Sequence, residues 1–230
     1  MDAWTTNTVQ TAERVSAFLW KVYGWMAVGL GLTAVVAFAV AGSPDLLRVL
    51  VGNRLVFFAL VIAELGLVFF MSSRADRLSP GTASGLFALY SALNGVTLSV
   101  ILLAYTGESV TMTFVVTAGM FGALALFGST TKRSLAGAGQ FFMMGLIGLI
   151  LASIVGMFWH NDALQFLISV VGVIVFTGLT AWDAQRLKQM AVALPEGQVG
   201  AYAVVGALSL YLNFINLFLM LLRFTGSRRD

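Results

Sequence analysis

Long apolar runs broken by short polar links dominate the chain. A helix needs about 20 mainly apolar residues to cross a bilayer. Seven runs meet that length: 20–41, 54–73, 82–104, 109–129, 138–159, 163–183 and 202–224. Each link carries a breaker or a charge, as in GSPD at 42–45, RADR at 74–77 and PEG at 195–197. The pattern predicts an all-α integral membrane protein with seven transmembrane helices. Residues 1–18 read as a short cytoplasmic segment, 19–225 as a single transmembrane domain, and 226–230 as a short basic tail.

Within the last run, Gly206, Ser209, Asn213 and Asn216 are spaced three, four and three apart. That spacing puts small and polar groups on one helical stripe. Thr177, Thr180 and Asp183 form a similar line on the run before it, and Ser91, Asn94 and Thr97 a third. Lipid offers polar groups no partners, so these stripes should face other helices, and the 202–224 helix should be the least lipid-exposed. Such groups either hold helices together or mark an ion path.

Glu64 is the one acid near the middle of a run, about ten residues, or roughly 15 Å, from either end. It must be protonated, paired with a group from another helix, or in contact with water. Arg74 lies ten residues further on, about 80° round the helix from Glu64, so the two do not pair within it. Arg74 and Asp183 are both expected near the cytoplasmic edge, where they could pair across helices. Asp183 also has a local partner available in Arg186, three residues on. Glycines inside the spans (Gly24, Gly29 and Gly31; Gly119 and Gly122; Gly145 and Gly148) read as packing positions.

Composition agrees with the pattern. Apolar residues make up 59% and charged residues 10%, against about 25% charged in a soluble domain. Without cysteine there is no disulfide or thiolate chemistry, and a single histidine, His160, excludes a multi-histidine metal site. The net charge of +3 is small, and the basic residues sit in pairs between runs, so no nucleic-acid surface is expected. Residues 1–18 lack the layout of a cleaved signal, and the first span is expected to direct insertion itself.

Lys and Arg set the orientation. With a cytoplasmic N-terminus, the inner segments hold Arg14, Lys21, Arg74, Arg77, Lys132 and Arg133, with Arg186 and Lys188 further on; the outer links hold only Arg48 and Arg54. The tail runs against the rule, because Arg223, Arg228 and Arg229 fall outside after seven crossings. Either the last run crosses in spite of its charges, or it dips in and returns. Early charges weigh more than late ones, which favours seven crossings.

The segments TAWDAQRLK at 180–188, ALSLYLNFINLF at 207–218 and LLR at 221–223 resemble the signature of the Bax inhibitor-1 family. NGVTLS at 94–99 and FGSTTK at 127–132 look like further family segments, and the likeness covers about residues 18–225. It is nearest to prokaryotic members, which places the chain in a prokaryotic inner membrane. The resemblance implies seven helices with the last one central, and a calcium leak regulated by pH. It further implies two aspartates sharing a site on the sixth and seventh spans, latched by an arginine from the second. Asp183 matches the first aspartate, Arg74 the arginine, and Glu64 an acid often carried on the second span. Asn213 stands where the second aspartate belongs.

That departure has chemical content. Two close carboxylates cannot both ionise cheaply, so such a pair senses pH, whereas an amide does not titrate. An Asp–Asn pair can still hydrogen-bond through the amide N–H. Calcium prefers six to eight oxygens, several of them carboxylate. Asp183 with Asn213, Asn216 and backbone carbonyls would be a weak calcium site, better suited to passage than to storage. The expected function is a membrane calcium leak, with calcium as the transported ion and no bound cofactor. The alternative is a non-conducting regulator that binds another membrane protein, such as a membrane protease. No enzyme is expected: an intramembrane aspartyl protease needs two membrane aspartates, and a serine protease would have to pair Ser109 with His160 across outer links.

Overall fold

A computed structural model describes residues 3–159 and 161–229. Eight α-helices are found among them: α1 (Ala3–Ala41), α2 (Pro44–Gly52), α3 (Arg54–Ser73), α4 (Pro80–Ala104), α5 (Gly107–Thr130), α6 (Ala136–Phe158), α7 (Asp162–Ala193) and α8 (Val199–Thr225). Seven of these, all but α2, are long and apolar enough to cross a membrane. Each expected span falls on one helix, and the protein is an all-α integral membrane protein.

Three boundaries differ from the hydropathy reading. Helix α1 begins well before the apolar run and is 39 residues long, about 58 Å, so its polar start extends past a hydrocarbon layer of about 30 Å. Helix α2 occupies the link between the first two expected spans; Pro44 stands in its first turn beside Asp45, a favourable helix start. Helix α7 runs ten residues past Asp183 to Ala193. Hydropathy marks where apolar side chains stop. The backbone continues through Gln185, Arg186 and Lys188, all compatible with helix. Asp183 therefore ends the apolar run but is an interior residue of its helix.

The chain divides into two compact units that interleave along the sequence. One comprises Met1–Ala104 with Lys188–Tyr211, the other Tyr105–Leu187 with Leu212–Asp230. Helix α8 gives its first half to one and its second half to the other. It is also the most buried span: 72% of its apolar window is buried, against at most 39% for the rest, as the polar stripe required.

In the first unit α1 lies close against α4. A Cβ on Gly29 would meet the Phe87 ring at 2.5 Å, and one on Gly95 would meet the Thr33 carbonyl oxygen at 2.7 Å. In the second unit α5 approaches α7 at Gly128, where a side chain would collide with the backbone of Ala181. Of the seven glycines read as packing positions, only Gly29 and Gly145 have close neighbours; the other five have open space beside them. Small residues at the right spacing do not tell a helix contact from a lipid-facing side. The core of the second unit joins Leu149 of α6, Ile168, Val175 and Phe176 of α7, and Leu217 and Met220 of α8.

The C-terminal tail is held by the second unit. Thr106 N donates to Ser227 O at 3.1 Å, and Ser227 N donates to Ser109 Oγ at 3.0 Å. Helix α8 is continuous for 27 residues, about 40 Å, and ends beside the α4–α5 link. It is long and apolar enough to cross the bilayer in one pass, and it is not broken as a re-entrant loop would be. The tail lies at the same end as that link, where the seven-crossing reading put it.

Candidate functional site

Two polar centres are built from the stripes, one in each unit. In the second unit, Asn213 Nδ2 of α8 donates to Asp183 Oδ2 of α7 at 2.7 Å, and both side chains are buried. The short distance suits a bond to a charged acceptor. Arg186, on the next turn of α7, brings Nη1 to 3.9 Å from Asp183 Oδ1 while its guanidinium lies over the Trp182 ring. The local Asp183–Arg186 pair and the Asp183–Asn213 contact both form. One turn before Asp183, Thr180 is buried and donates to its own helix at Phe176 O.

Asn216 does not join this contact. Its Nδ2 donates to Leu212 O at 2.8 Å, and it is half-buried on the wall of a polar cavity of about 790 Å³. The cavity lies at the end of the unit that carries the α6–α7 link and the tail, and Ser153, Gln165 and Ser169 also line it. Asn213 and Asn216 are three residues apart, about 4.5 Å along the helix axis. The floor of the cavity is thus one helical turn from the Asp183 contact.

In the first unit, Glu64 is the buried acid of α3, and α4 meets it. Thr97 Oγ1 donates to Glu64 Oε1 at 2.5 Å and Asn94 Nδ2 donates to Oε2 at 3.3 Å. Tyr211 Oη donates to Asn94 Oδ1 at 3.0 Å and lies 2.6 Å from Thr33 Oγ1. Tyr211 gives its proton to Asn94, Asn94 and Thr97 donate to Glu64, and the single proton of Thr33 has two acceptors within reach, Tyr211 Oη and Ser91 O at 2.8 Å. Of the options named for Glu64, contact with polar groups of another helix is seen. Arg74 belongs to this unit too, as the exposed C-cap of α3 with its guanidinium 5.3 Å from the centre of the Phe70 ring.

The profile of the family described as "Inhibitor of apoptosis-promoting Bax1" matches residues 15–230. The chain belongs to the Bax inhibitor-1 family. It is 49% identical over 226 residues to the inner membrane protein YbhL of Escherichia coli K12, covering 97% of each chain. A protein of Borreliella burgdorferi is 45% identical over 215 residues, covering 93% of each, and one of Deinococcus radiodurans 41% over 220 residues, covering 95% of this chain and 94% of its own. For this family member the segments that carried the resemblance are also those that build the polar centres: TAWDAQRLK supplies Asp183 and LSLYLNFINLF supplies both Tyr211 and Asn213.

Two buried residues escaped the sequence reading. Tyr211 is fully enclosed, edge-on to Phe87 and Tyr90, and ties Thr33 to Asn94. A tyrosine among leucines gave the signal, because a buried hydroxyl needs a partner. Gln185 accepts from Leu135 N and donates to Arg133 O, both at 2.8 Å, and so holds the α5–α6 link. Its position two residues after Asp183, just past the end of an apolar run, carries no local signal of burial. His160 lies outside the described residues. Among those described, no three His, Cys, Asp or Glu side chains gather as a metal site.

Proposed function

We propose that the protein is a calcium leak of the inner membrane, with its N-terminus cytoplasmic and with Asp183, Asn213 and Asn216 on the ion path. The observation that carries this reading is the buried 2.7 Å contact between Asp183 and Asn213, one turn from a polar cavity. A carboxylate inside a membrane helix is costly, and a role in an ion path accounts for its presence. The amide closes the path by occupying the carboxylate. A passing cation takes its place and finds one carboxylate with amide oxygens, a weak site from which it can leave. Because Asn213 does not titrate, the leak depends little on pH, unlike a paired-aspartate member. A latch role for Arg74 rests on the family resemblance.

The test is calcium flux from liposomes holding purified protein. Asp183→Ala should slow the flux by about tenfold or more, since it removes the only carboxylate of the pair. Unchanged flux at equal incorporation would remove Asp183 from the path. No flux from the unmodified protein would favour the non-conducting regulator that binds another membrane protein.

A further inference from the structure

We propose that the cavity of the second unit binds the phosphate and polyol headgroup of a phospholipid. Its mouth carries two guanidiniums, Arg223 and Arg228, and one carboxylate, Asp162. Both arginines are exposed, and among the described residues neither has a carboxylate within ion-pair distance. Arginine forks match phosphate oxygens and hold them by charge-assisted bonds. The first turn of α7 supplies no anion site of its own, because Asn161 Oδ1 already accepts from Ala163 N and Leu164 N. The Asn161 amide N–H groups remain as a further donor on the cavity lining.

The inner wall has the opposite character. Ser153 Oγ donates to Leu149 O and Ser169 Oγ to Gln165 O, each on its own helix. With their protons used, both hydroxyls offer only lone pairs to the cavity. Asn216 spends one N–H on Leu212 O and keeps its other N–H and its side-chain carbonyl, and Gln165 adds a second amide to the lining. Cationic donors at the mouth and neutral hydroxyl and amide groups within suit a phosphate followed by hydroxyl groups, which both donate and accept, as in a glycerol headgroup. From Arg223 to Asn216 is seven residues, about 10 Å along α8, which gives depth for both parts.

The surroundings favour a lipid over a soluble phosphate. Phe166 and Phe224 line the cavity and are exposed, with ring centres 5.5 Å apart. Phe158, at the end of α6, and Trp159, just after it, are exposed as well. Tryptophan gathers where headgroups meet hydrocarbon, and acyl chains can lie along the phenylalanine rings while the headgroup enters. A bare phosphate would leave most of a cavity of about 790 Å³ unfilled.

Native mass spectrometry of the full chain in detergent, titrated with phosphatidylglycerol and separately with glycerol 3-phosphate, tests the site without any measurement of flux. The unmodified protein should retain phosphatidylglycerol. The double variant Arg223→Gln/Arg228→Gln should bind it about tenfold more weakly or worse, as expected for lost bonds to a charged group. The Arg-to-Lys double variant should keep part of the binding. A second variant, Ser153→Leu, fills the cavity with both arginines in place and should also weaken binding. It decides by the same criterion if the arginine variant does not fold. Equal binding of glycerol 3-phosphate would support the phosphate site with a soluble ligand as its source. Equal retention of phosphatidylglycerol by the unmodified protein and the glutamine or leucine variant would overturn the proposal.

Discussion

Glu64 in the first unit and Asp183 in the second are both buried acids answered by an asparagine from another helix, yet they are held in opposite ways. Glu64 takes two donors from α4, Thr97 and Asn94, and Asn94 is itself fixed, because its carbonyl accepts from Tyr211 Oη. Beside that chain Ser91 Oγ, on the same stripe of α4, is buried without a hydrogen-bond partner among the described residues. Asp183 takes the Asn213 amide and a long contact from Arg186, whose side chain is 54% exposed, and a polar cavity begins one turn away. The first arrangement is enclosed by side chains, and the second lies one helical turn from a polar cavity. The same residue types therefore serve anchoring in one unit and, in our reading, ion passage in the other.

The anchoring role follows from what α3 lacks. Only 11% of its apolar window is buried, and Glu64 and Met71 are its buried residues. A helix that buries so little is tied to its unit by the Glu64 carboxylate, the enclosed Met71 and a few half-buried side chains. The largest expected effect is therefore from Glu64→Ala. It removes two hydrogen bonds and strands Asn94 and Thr97 in an apolar setting, costing about 2–4 kcal/mol. Thermal unfolding in detergent should show a clear fall in midpoint. A midpoint within error of the unmodified protein would mean that α3 is held by packing and that the comparison fails at its first term.

Tyr211→Phe tests the other end of the same chain. The ring, and with it the edge-on contacts to Phe87 and Tyr90, remains; the hydroxyl between Thr33 and Asn94 is lost. The expected cost is about 1 kcal/mol, because one buried acceptor and one buried hydroxyl lose a partner. A loss as large as that of Glu64→Ala would make the tyrosine, not the acid, the keystone of the first unit.

How much of this was legible follows from which signals are local. The seven spans were readable because hydropathy over 20 residues is a property of the chain itself. The burial of α8 was readable from the Gly206/Ser209/Asn213/Asn216 spacing, since lipid cannot satisfy such a stripe. The Asp183–Asn213 contact could be expected from the resemblance, but periodicity alone gave only two polar faces without a register between helices. Asn216 shows the limit: it shares the stripe with Asn213 but opens on the cavity instead of the acid. The closely packed Gly95, Gly128 and Gly178 were indistinguishable in sequence from Gly24 or Gly122, which have open space beside them.

Asn213→Asp sharpens the second half of the comparison. It replaces the amide that meets Asp183 at 2.7 Å with a second acid, and two carboxylates at that distance share protons. Calcium flux should then rise with pH between about pH 5 and 8, as the second negative charge develops and attracts the cation. The unmodified protein should change by less over the same range. Identical profiles for the two proteins would show that positions 183 and 213 do not act as a coupled site in the membrane.

The smallest effect is expected from Arg186→Gln, and it decides which partner of Asp183 matters. The guanidinium lies 3.9 Å from the carboxylate, three residues on along the same helix, and is half in solvent. Exposed pairs of this kind contribute about 0.3–0.5 kcal/mol and weaken with salt. Its stacking over Trp182 holds the side chain in place without adding charge to the pair. The variant should unfold within about 0.5 kcal/mol of the unmodified protein, and the difference should shrink at high salt. Asn213→Ala, by contrast, breaks a short buried bond to a charged group and should cost about 1.5–3 kcal/mol with little salt dependence. If the order were reversed, Asp183 would be held mainly by the arginine at the surface. The amide would then not be what closes the path, and its displacement by a cation would not open it.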